Sequence, residues 1–408
     1  MEAMDIQAVE SKLSDVTVTA IPMSSKNVHK DLGHGGNSHA TISTVPASSP
    51  SSVGKDKDNG TSKPTIMAVD WNNKWRWDTT YSADSVEWCP VEPYYDVLVC
   101  GTYELDKSNE DHEPKKQTRL GRIYLFIIQE NSSHLSPVQT IDTSGVLDQK
   151  WCYHTIENYP VLAVVTSEGF LELYRLVKHE DIRLELWIKK EVGKELLALS
   201  VDWSTNKTPS AEPKLVISDS SGSVTIFAVT KNGLQKVNTC KSHEFEAWIA
   251  AFNYWNPDVF YSGSDDLLFK SYDLRSPDIV ATTNKSHEAG VTAIRSHVDI
   301  EHQLLTGSYD EKIRLWDARN LKRSVTDTDA WGGVWRLKWH PSRIDTILAA
   351  CMYGGFRVLT TLDSSISIVG EYLEHESIAY GADWKYNSNL VATCSFYDRK
   401  MHIGEILM

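Results

Sequence analysis

Between Ile66 and Met408 the apolar residues fall in short runs with no helical stripe, and the runs recur in a fixed order. A short apolar strand ends near a tryptophan. A break follows, then a second apolar strand, a polar turn, and a third strand in which apolar and polar positions alternate. Apolar runs of this length, bounded by turn residues and rich in β-branched and aromatic side chains, predict β-strands. The first unit holds Ser85–Pro90, Val97–Gly101 and Arg122–Phe126. Later units open at Leu147–Trp151, Leu199–Trp203, Ala247–Phe252, Gly290–Ile294, Val334–Trp339 and Tyr380–Trp384. Taking Trp88, Trp151, Trp203, Tyr254, His297, Trp339 and Trp384 as markers, the last three intervals are 43, 42 and 45 residues. The longer, earlier intervals carry polar insertions, Glu104–Arg119 and Asn206–Pro213, which belong in loops.

A repeat of ~40–45 residues with several strands is the sequence signature of a propeller blade. Seven such units predict an all-β chain, a seven-bladed β-propeller spanning 66–408, whose four-stranded sheets bury their faces only by stacking around a channel. The last unit supplies three strands, ending at Met401–Ile406, so Ile66–Trp71 or Trp75–Thr80 is expected to add the missing outer strand. The fifth unit reads Leu305-Thr306-Gly307-Ser308-Tyr309-Asp310, then Ile313-Arg314-Leu315-Trp316-Asp317, which resembles the WD-repeat consensus. That resemblance implies a hydrogen-bonded set of His287, Ser308 or Thr306, Asp310 and Trp316 linking the strands of one blade. The fourth unit offers His243, Ser264, Asp266 and Tyr272.

Composition changes the picture mainly at the N-terminus. Residues 1–65 contain no Phe, Tyr or Trp, and 17 of them are Ser or Thr. Such a stretch cannot bury enough apolar surface to offset its chain entropy, so a disordered tail is expected there. With no Arg and seven acidic residues it does not look like a transit peptide. The net charge of −14 speaks against nucleic-acid binding and leaves cationic protein partners open. No apolar run approaches the ~18 residues of a membrane helix. Six scattered cysteines without a CxxC pair read as reduced thiols of a cytoplasmic protein. Nothing in the sequence points to oligomerisation, and a monomer is expected.

No G-x-S-x-G, H-E-x-x-H, P-loop or G-x-G-x-x-G is present, so a conventional serine hydrolase is not expected, and neither is a cofactor or resident metal. The segment Ser242–Trp248 precedes an innermost strand and should lie near the channel mouth. Glu246 or His243 there can act as a general base. The plainer readings are a blade histidine and a solvated loop acid. Asp84, Asp148, Asp202 and Asp383 fall in or just before innermost strands. They form either an acidic collar fit for a cation or a set of acceptors for backbone N–H groups. Trp248, Trp331, Trp335 and Tyr380 gather near the same strand starts, and aromatic faces beside carboxylates suit a quaternary ammonium. Packing between blades is the alternative.

Further words of the chain carry a closer resemblance. Ala83–Pro90, Cys100–Tyr103, Leu199–Ser204, Phe245–Trp255, Gly307–Glu311, Gly332–Pro341 and Tyr380–Trp384, in this order, resemble the WD-repeat diphthine methylesterases of diphthamide biosynthesis, also labelled diphthine methyltransferases. The likeness covers about residues 80–385 and leaves out the tail. It implies hydrolysis of the methyl ester of methylated diphthine on translation elongation factor 2, giving diphthine and methanol. The substrate would then be a folded protein with a long cationic side chain. Under that reading Glu246, alone or with His243, activates water, and backbone N–H groups near Gly332-Gly333 receive the oxyanion. Trp248, Asp84, Asp202, Trp335, Tyr380 and Asp383 would bind the substrate. A metal-assisted route through Asp84, Asp202 or Asp383 is the rival mechanism. A non-catalytic scaffold and an adaptor for a separate amidating enzyme are the rival functions.

Overall fold

The structure is a computed structural model that describes residues 70–106, 118–276 and 280–407. The expectation for 1–65 lies outside the described residues, as does the middle of the Glu104–Arg119 insertion. The chain divides into Met1–Thr65 and Ile66–Met408, and the second unit is the one described.

Seven four-stranded antiparallel sheets make up this unit. Their innermost strands are Ser82–Trp88, Val146–Trp151, Ala198–Trp203, Ala247–Phe252, Val291–Ser296, Arg336–Trp339 and Ala379–Trp384, in blades 1 to 7. The one helical element among the described residues is the single 3-10 turn Leu362–Ser364. None is long and apolar enough to cross a membrane. Asp70–Asp78 pairs with Lys400–Leu407 and completes blade 7. It straddles the two segments expected to close the ring, with an irregularity between Asn73 and Trp75.

The innermost strands are buried on both faces because each packs between two neighbours. Apolar clusters fill the gaps between blades: Val161, Ala163 and Val165 of blade 2, for example, meet Trp203, Leu215 and Ile217 of blade 3. The recurrent tryptophan has a specific task. Its indole N–H donates to a backbone carbonyl of the preceding blade, from Trp151 to Glu87 (3.3 Å), Trp203 to Lys150 (2.9 Å) and Trp384 to Lys338 (3.3 Å). The strand pairing aligns these tryptophans with Phe252 and Ser296. The sequence markers Tyr254 and His297 therefore sit two residues and one residue too late.

A second regularity positions the site. Six innermost strands carry a β-bulge near their start, at the third residue in blade 1 and the second in the others: Asp84, Leu147, Leu199, Trp248, Thr292 and Tyr380. Trp335 takes the same place in blade 6, its N–H donating to Ala350. A bulge turns one side chain away from the regular alternation. Here it sets a ring of seven side chains at the upper mouth, the end where the innermost strands begin. Three residues further along, Glu87, Lys150, Asp202, Ala251, Arg295, Lys338 and Asp383 form a lower ring.

Candidate functional site at the upper mouth of the pore

Contacts between blades that are not neighbours show which side chains reach the axis. Arg336 of blade 6 meets Asp148 of blade 2 at 3.0 Å, and Arg295 of blade 5 meets Asp202 of blade 3 at 3.7 Å. Lys338 of blade 6 bonds Glu87 of blade 1 and lies 3.3 Å from Asp383. The lower ring is therefore not an acidic collar. Three acids face three bases, and the charges cancel within the ring. Burial would raise Asp148, but Arg336 and Lys150 hold it below the usual carboxylate range. Burial wins at Asp202 and Asp383, which are raised despite Lys150, Arg295 and Lys338.

These acids also tie the ring together. Asp383 accepts the N–H of Trp88 (2.8 Å), Asp148 that of Val201 (3.0 Å) and Asp202 that of Phe252 (2.9 Å), each from the next blade. With Tyr153 and Tyr386 the lower ring leaves a cavity of about 30 Å³, room for a water molecule. The lower ring thus constricts the pore with paired charges. Sequence reasoning missed Lys150, Arg295, Arg336 and Lys338. A signal was present: the residue just before the ring tryptophan is charged in blades 1, 2, 3, 6 and 7, with both signs represented.

The upper ring is different. Trp335 packs on Tyr380 with ring centroids 4.6 Å apart and meets Trp248 edge-on at 5.7 Å, so the structure brings the three aromatics together. Tyr309 joins them at 5.9 Å from Trp335. The indole N–H groups of Trp248 and Trp335 are buried without an acceptor. Asp84 completes the ring among Leu147, Leu199 and Thr292, and its carboxylate is buried. Asp84, Asp202 and Asp383 do not converge on one point, and among the described residues no three His, Cys, Asp or Glu side chains gather as metal donors.

His243 and Glu246 part company. Nδ1 of His243 lies 2.8 Å from Asp266 and Nε2 lies 2.7 Å from Ser262, whose hydroxyl donates to Tyr272 at 3.2 Å. Both ring nitrogens serve the blade, with Ser262 in the place expected for Ser264, and burial lowers the imidazole pKa. Blade 5 repeats the set with His287, Asp310, Thr306 and Trp316. Blade 7 adds an unforeseen version, in which His375 bonds Thr393 and Ser395 and stacks on His402 at 3.9 Å.

Glu246, by contrast, is 5% exposed, and among the described residues no hydrogen bond or ion pair holds its carboxylate. In register with it stand Gly145, Gly290 and Gly333, where a Cβ would meet Tyr103, Asp265 and Tyr309 of neighbouring blades. Glu246 thus belongs to the rim, one step outside the aromatic ring. No backbone bond takes the N–H of Gly332 or Gly333 among the described residues.

Residues 279–317 match the WD domain, G-beta repeat family, the stretch that holds His287, Asp310 and Trp316. Residues 1–54 match the cyclin-dependent kinase 2-associated protein family. A chain in the crystal structure of the mitotic checkpoint complex superposes with a TM-score of 0.65 at 16% identity, covering 88% of this chain and 99% of its own length. At that identity the likeness shows the fold alone. The diphthine methyltransferase of Homo sapiens is 42% identical over 334 residues, 76% of this chain and 74% of the relative. The homolog of Dictyostelium discoideum is 36% identical over 366 residues, 79% of this chain and 96% of the relative. That of Schizosaccharomyces pombe is 31% identical over 340 residues, 80% and 95%. With identity at this level over three quarters or more of its length, the chain belongs to the diphthine methyltransferase family.

Proposed function

We propose that the protein is a carboxylic-ester hydrolase of diphthamide biosynthesis. It removes the methyl ester from methylated diphthine on translation elongation factor 2. One water is consumed, the acyl carbon gains its oxygen, and methanol leaves with the other proton. The relatives are named for transfer of a methyl group; hydrolysis, with water as the acyl acceptor, is our reading of the same step. We place the reaction in the cytoplasm and on a monomer; the first is consistent with six scattered cysteines that form no CxxC pair.

The observation that carries the reading is Glu246, a residue 5% exposed on the rim of the upper mouth, whose carboxylate has no hydrogen-bond or ion-pair partner among the described residues. Such a group can take a proton from an attacking water. His243 cannot share the task without giving up Asp266 or Ser262. The free N–H groups of Gly332 and Gly333 are donors suited to the oxyanion.

The scaffold reading draws on a separate observation, the exposed Phe245, Tyr353 and Tyr397 around the same mouth, at 50%, 61% and 47%. One experiment separates the two. Purified protein is incubated with elongation factor 2 carrying methylated diphthine, and methanol release and the mass of the modified peptide are followed. Hydrolysis is expected, slowed about 10²–10⁴-fold by Glu246→Gln with binding of the factor retained. A stable complex with no mass change would favour the scaffold, and full activity of Glu246→Gln would move the base elsewhere.

A further inference from the structure

We infer that the groove between the outer parts of blades 1 and 2 is a docking site for an arginine side chain carried on an extended segment of a partner protein. Blades 4, 5 and 7 each place a histidine four residues before the innermost strand, and an acid four residues before a basic or imidazole side chain of the third strand. The sets are His243, Asp266 and Lys270; His287, Asp310 and Arg314; His375, Asp398 and His402. The imidazole is buried between its acid and a hydroxyl of the second strand, and it covers this face of the blade. At the corresponding places blade 2 carries Asp142, Glu168 and Glu172, with Val164 where the hydroxyl would stand.

Asp142 does not turn inward as the histidines do. The outer strand Gln139–Ser144 of blade 1 runs on through it, opposite Arg122. Its side chain is 79% exposed and accepts Nε–H of Arg122 at 2.7 Å. With no imidazole between the blades, a groove of about 430 Å³ opens there. Gln139 bridges its two walls: the side-chain amide takes the N–H of Leu184 at 2.7 Å and donates to the carbonyl of the same residue at 3.0 Å. Inside the groove Glu172, its side chain 3% exposed, receives the hydroxyl of Tyr174 at 2.6 Å and Nζ of Lys189 at 2.8 Å. A carboxylate offers about four acceptor positions, so others are left. Oγ of Ser144, also in the lining, is buried without a partner.

The lining decides what fits. It holds three acids, Asp142, Glu168 and Glu172, against one base, Lys189. An occupant must bring positive charge and several donors. A metal ion is not what this lining suits, since among the described residues no three His, Cys, Asp or Glu side chains gather as metal donors. A guanidinium brings five N–H donors in a fork that matches a carboxylate, and its apolar stem matches Ile141, Leu184 and Leu186. The volume lies within the ~300–1,000 Å³ of ordinary ligand sites. Leu186 is 53% exposed, and Ile182–Glu191 is the outermost strand of its sheet. Its free backbone edge and that apolar side chain are placed to receive the residues on either side of the arginine.

The probe is a fluorescein-labelled peptide, Gly-Ser-Leu-Arg-Leu-Ser-Gly, titrated with the full chain while its polarisation is followed. Saturable binding is expected, weakened about tenfold or more when uncharged citrulline replaces the arginine, and likewise by Glu172→Gln. Glu168→Lys and Leu186→Glu change only the rim and should weaken binding as well, so the test stands even if a thermal melt shows Glu172→Gln misfolded. Glu301→Lys, at an exposed acid of blade 5, should leave binding within about twofold. Three outcomes overturn the site: no saturable binding, equal binding of the citrulline peptide, or an equal loss in Glu301→Lys. The last would mean mere attraction to a chain of net charge −14.

Discussion

His340 shows how a single side chain on this framework responds to pH. It follows the ring tryptophan of blade 6, packs against Trp384 with ring centroids 4.5 Å apart, and accepts the N–H groups of Ser342 and Arg343 at Nδ1, 3.0 Å each. Nε2 carries the proton and is buried without an acceptor. A second proton would displace both backbone donors, and burial together with Arg343 lowers the pKa to about 4. The unfolded chain protonates this residue near pH 6.5. Between these values the unfolded state holds more protons, so stability falls as the pH drops from about 6.5 to about 4. His402, lowered to about 3 by burial and His375, acts in the same direction. We predict a melting temperature that falls steadily from pH 7 to pH 4.5. His340→Gln, which accepts without titrating, should flatten that slope by an amount on the order of 2 kcal/mol. Parallel slopes for wild type and variant would refute this role. At this scale the sequence was legible where a residue type has one use, as for His287 with Asp310 and Trp316. It was ambiguous at His243 and at the channel acids, because a histidine or an aspartate serves a backbone and a substrate with the same atoms.

At the scale of elements, the strand Asp70–Asp78 carries more than its four-stranded sheet requires. Trp75 enters the apolar cluster shared by blades 1 and 7. Trp71 stacks on Tyr372 of blade 6 at 4.4 Å, and Trp77 meets Phe126 of blade 1 edge-on at 5.9 Å. One strand from the start of the propeller thus fastens its end to both neighbours. Without it, Lys400–Leu407 becomes an exposed edge with unpaired backbone groups. Deleting residues 66–80 is expected to lower the melting temperature by about 10 °C or more, or to leave the chain insoluble, since several kcal/mol of packing are lost. Deleting 1–60 should change it by no more than about 2 °C. Equal effects of the two deletions in a thermal melt would contradict the closure. Innermost strands were readable from sequence because burial on both faces makes them nearly continuous apolar runs. Outer strands such as Gly233–Lys241 and Thr326–Asp329 were not, since they face solvent and carry mostly polar side chains. The exact limits of the closing strand were missed for the same reason: exposed Asp70, Asn72, Lys74, Arg76 and Asp78 alternate with the half-buried Trp71, Asn73 and Trp77 and the buried Trp75.

For the whole molecule, the charged lower ring sets the two mouths of the pore apart. Its members come from distant parts of the chain, Glu87 and Lys338 being 251 residues apart, so no local pattern reveals that they neutralise one another. Only the assembled ring shows that the lower mouth holds a water-sized cavity while the upper mouth presents aromatics, Asp84 and Glu246. The exposed side chains divide in the same way. Tyr353 and Tyr397 lie in turns between second and third strands, on the upper face, whereas Ile344, equally exposed at 50%, lies in a turn between first and second strands below. A protein substrate whose modified side chain enters the pore must then cover the upper turns and leave the lower ones free. Aromatic side chains at such a contact commonly contribute more than 1 kcal/mol. Replacing Tyr353 or Tyr397 by Glu is therefore expected to lower kcat/KM on elongation factor 2 about tenfold. Ile344→Glu, the same change in character on the opposite face, should leave it within about twofold. The measurement is a comparison of initial rates for the three variants at one ionic strength. A loss confined to Ile344→Glu would place the substrate on the lower face, beyond the reach of Glu246, and the roles assigned to the upper mouth would have to be abandoned.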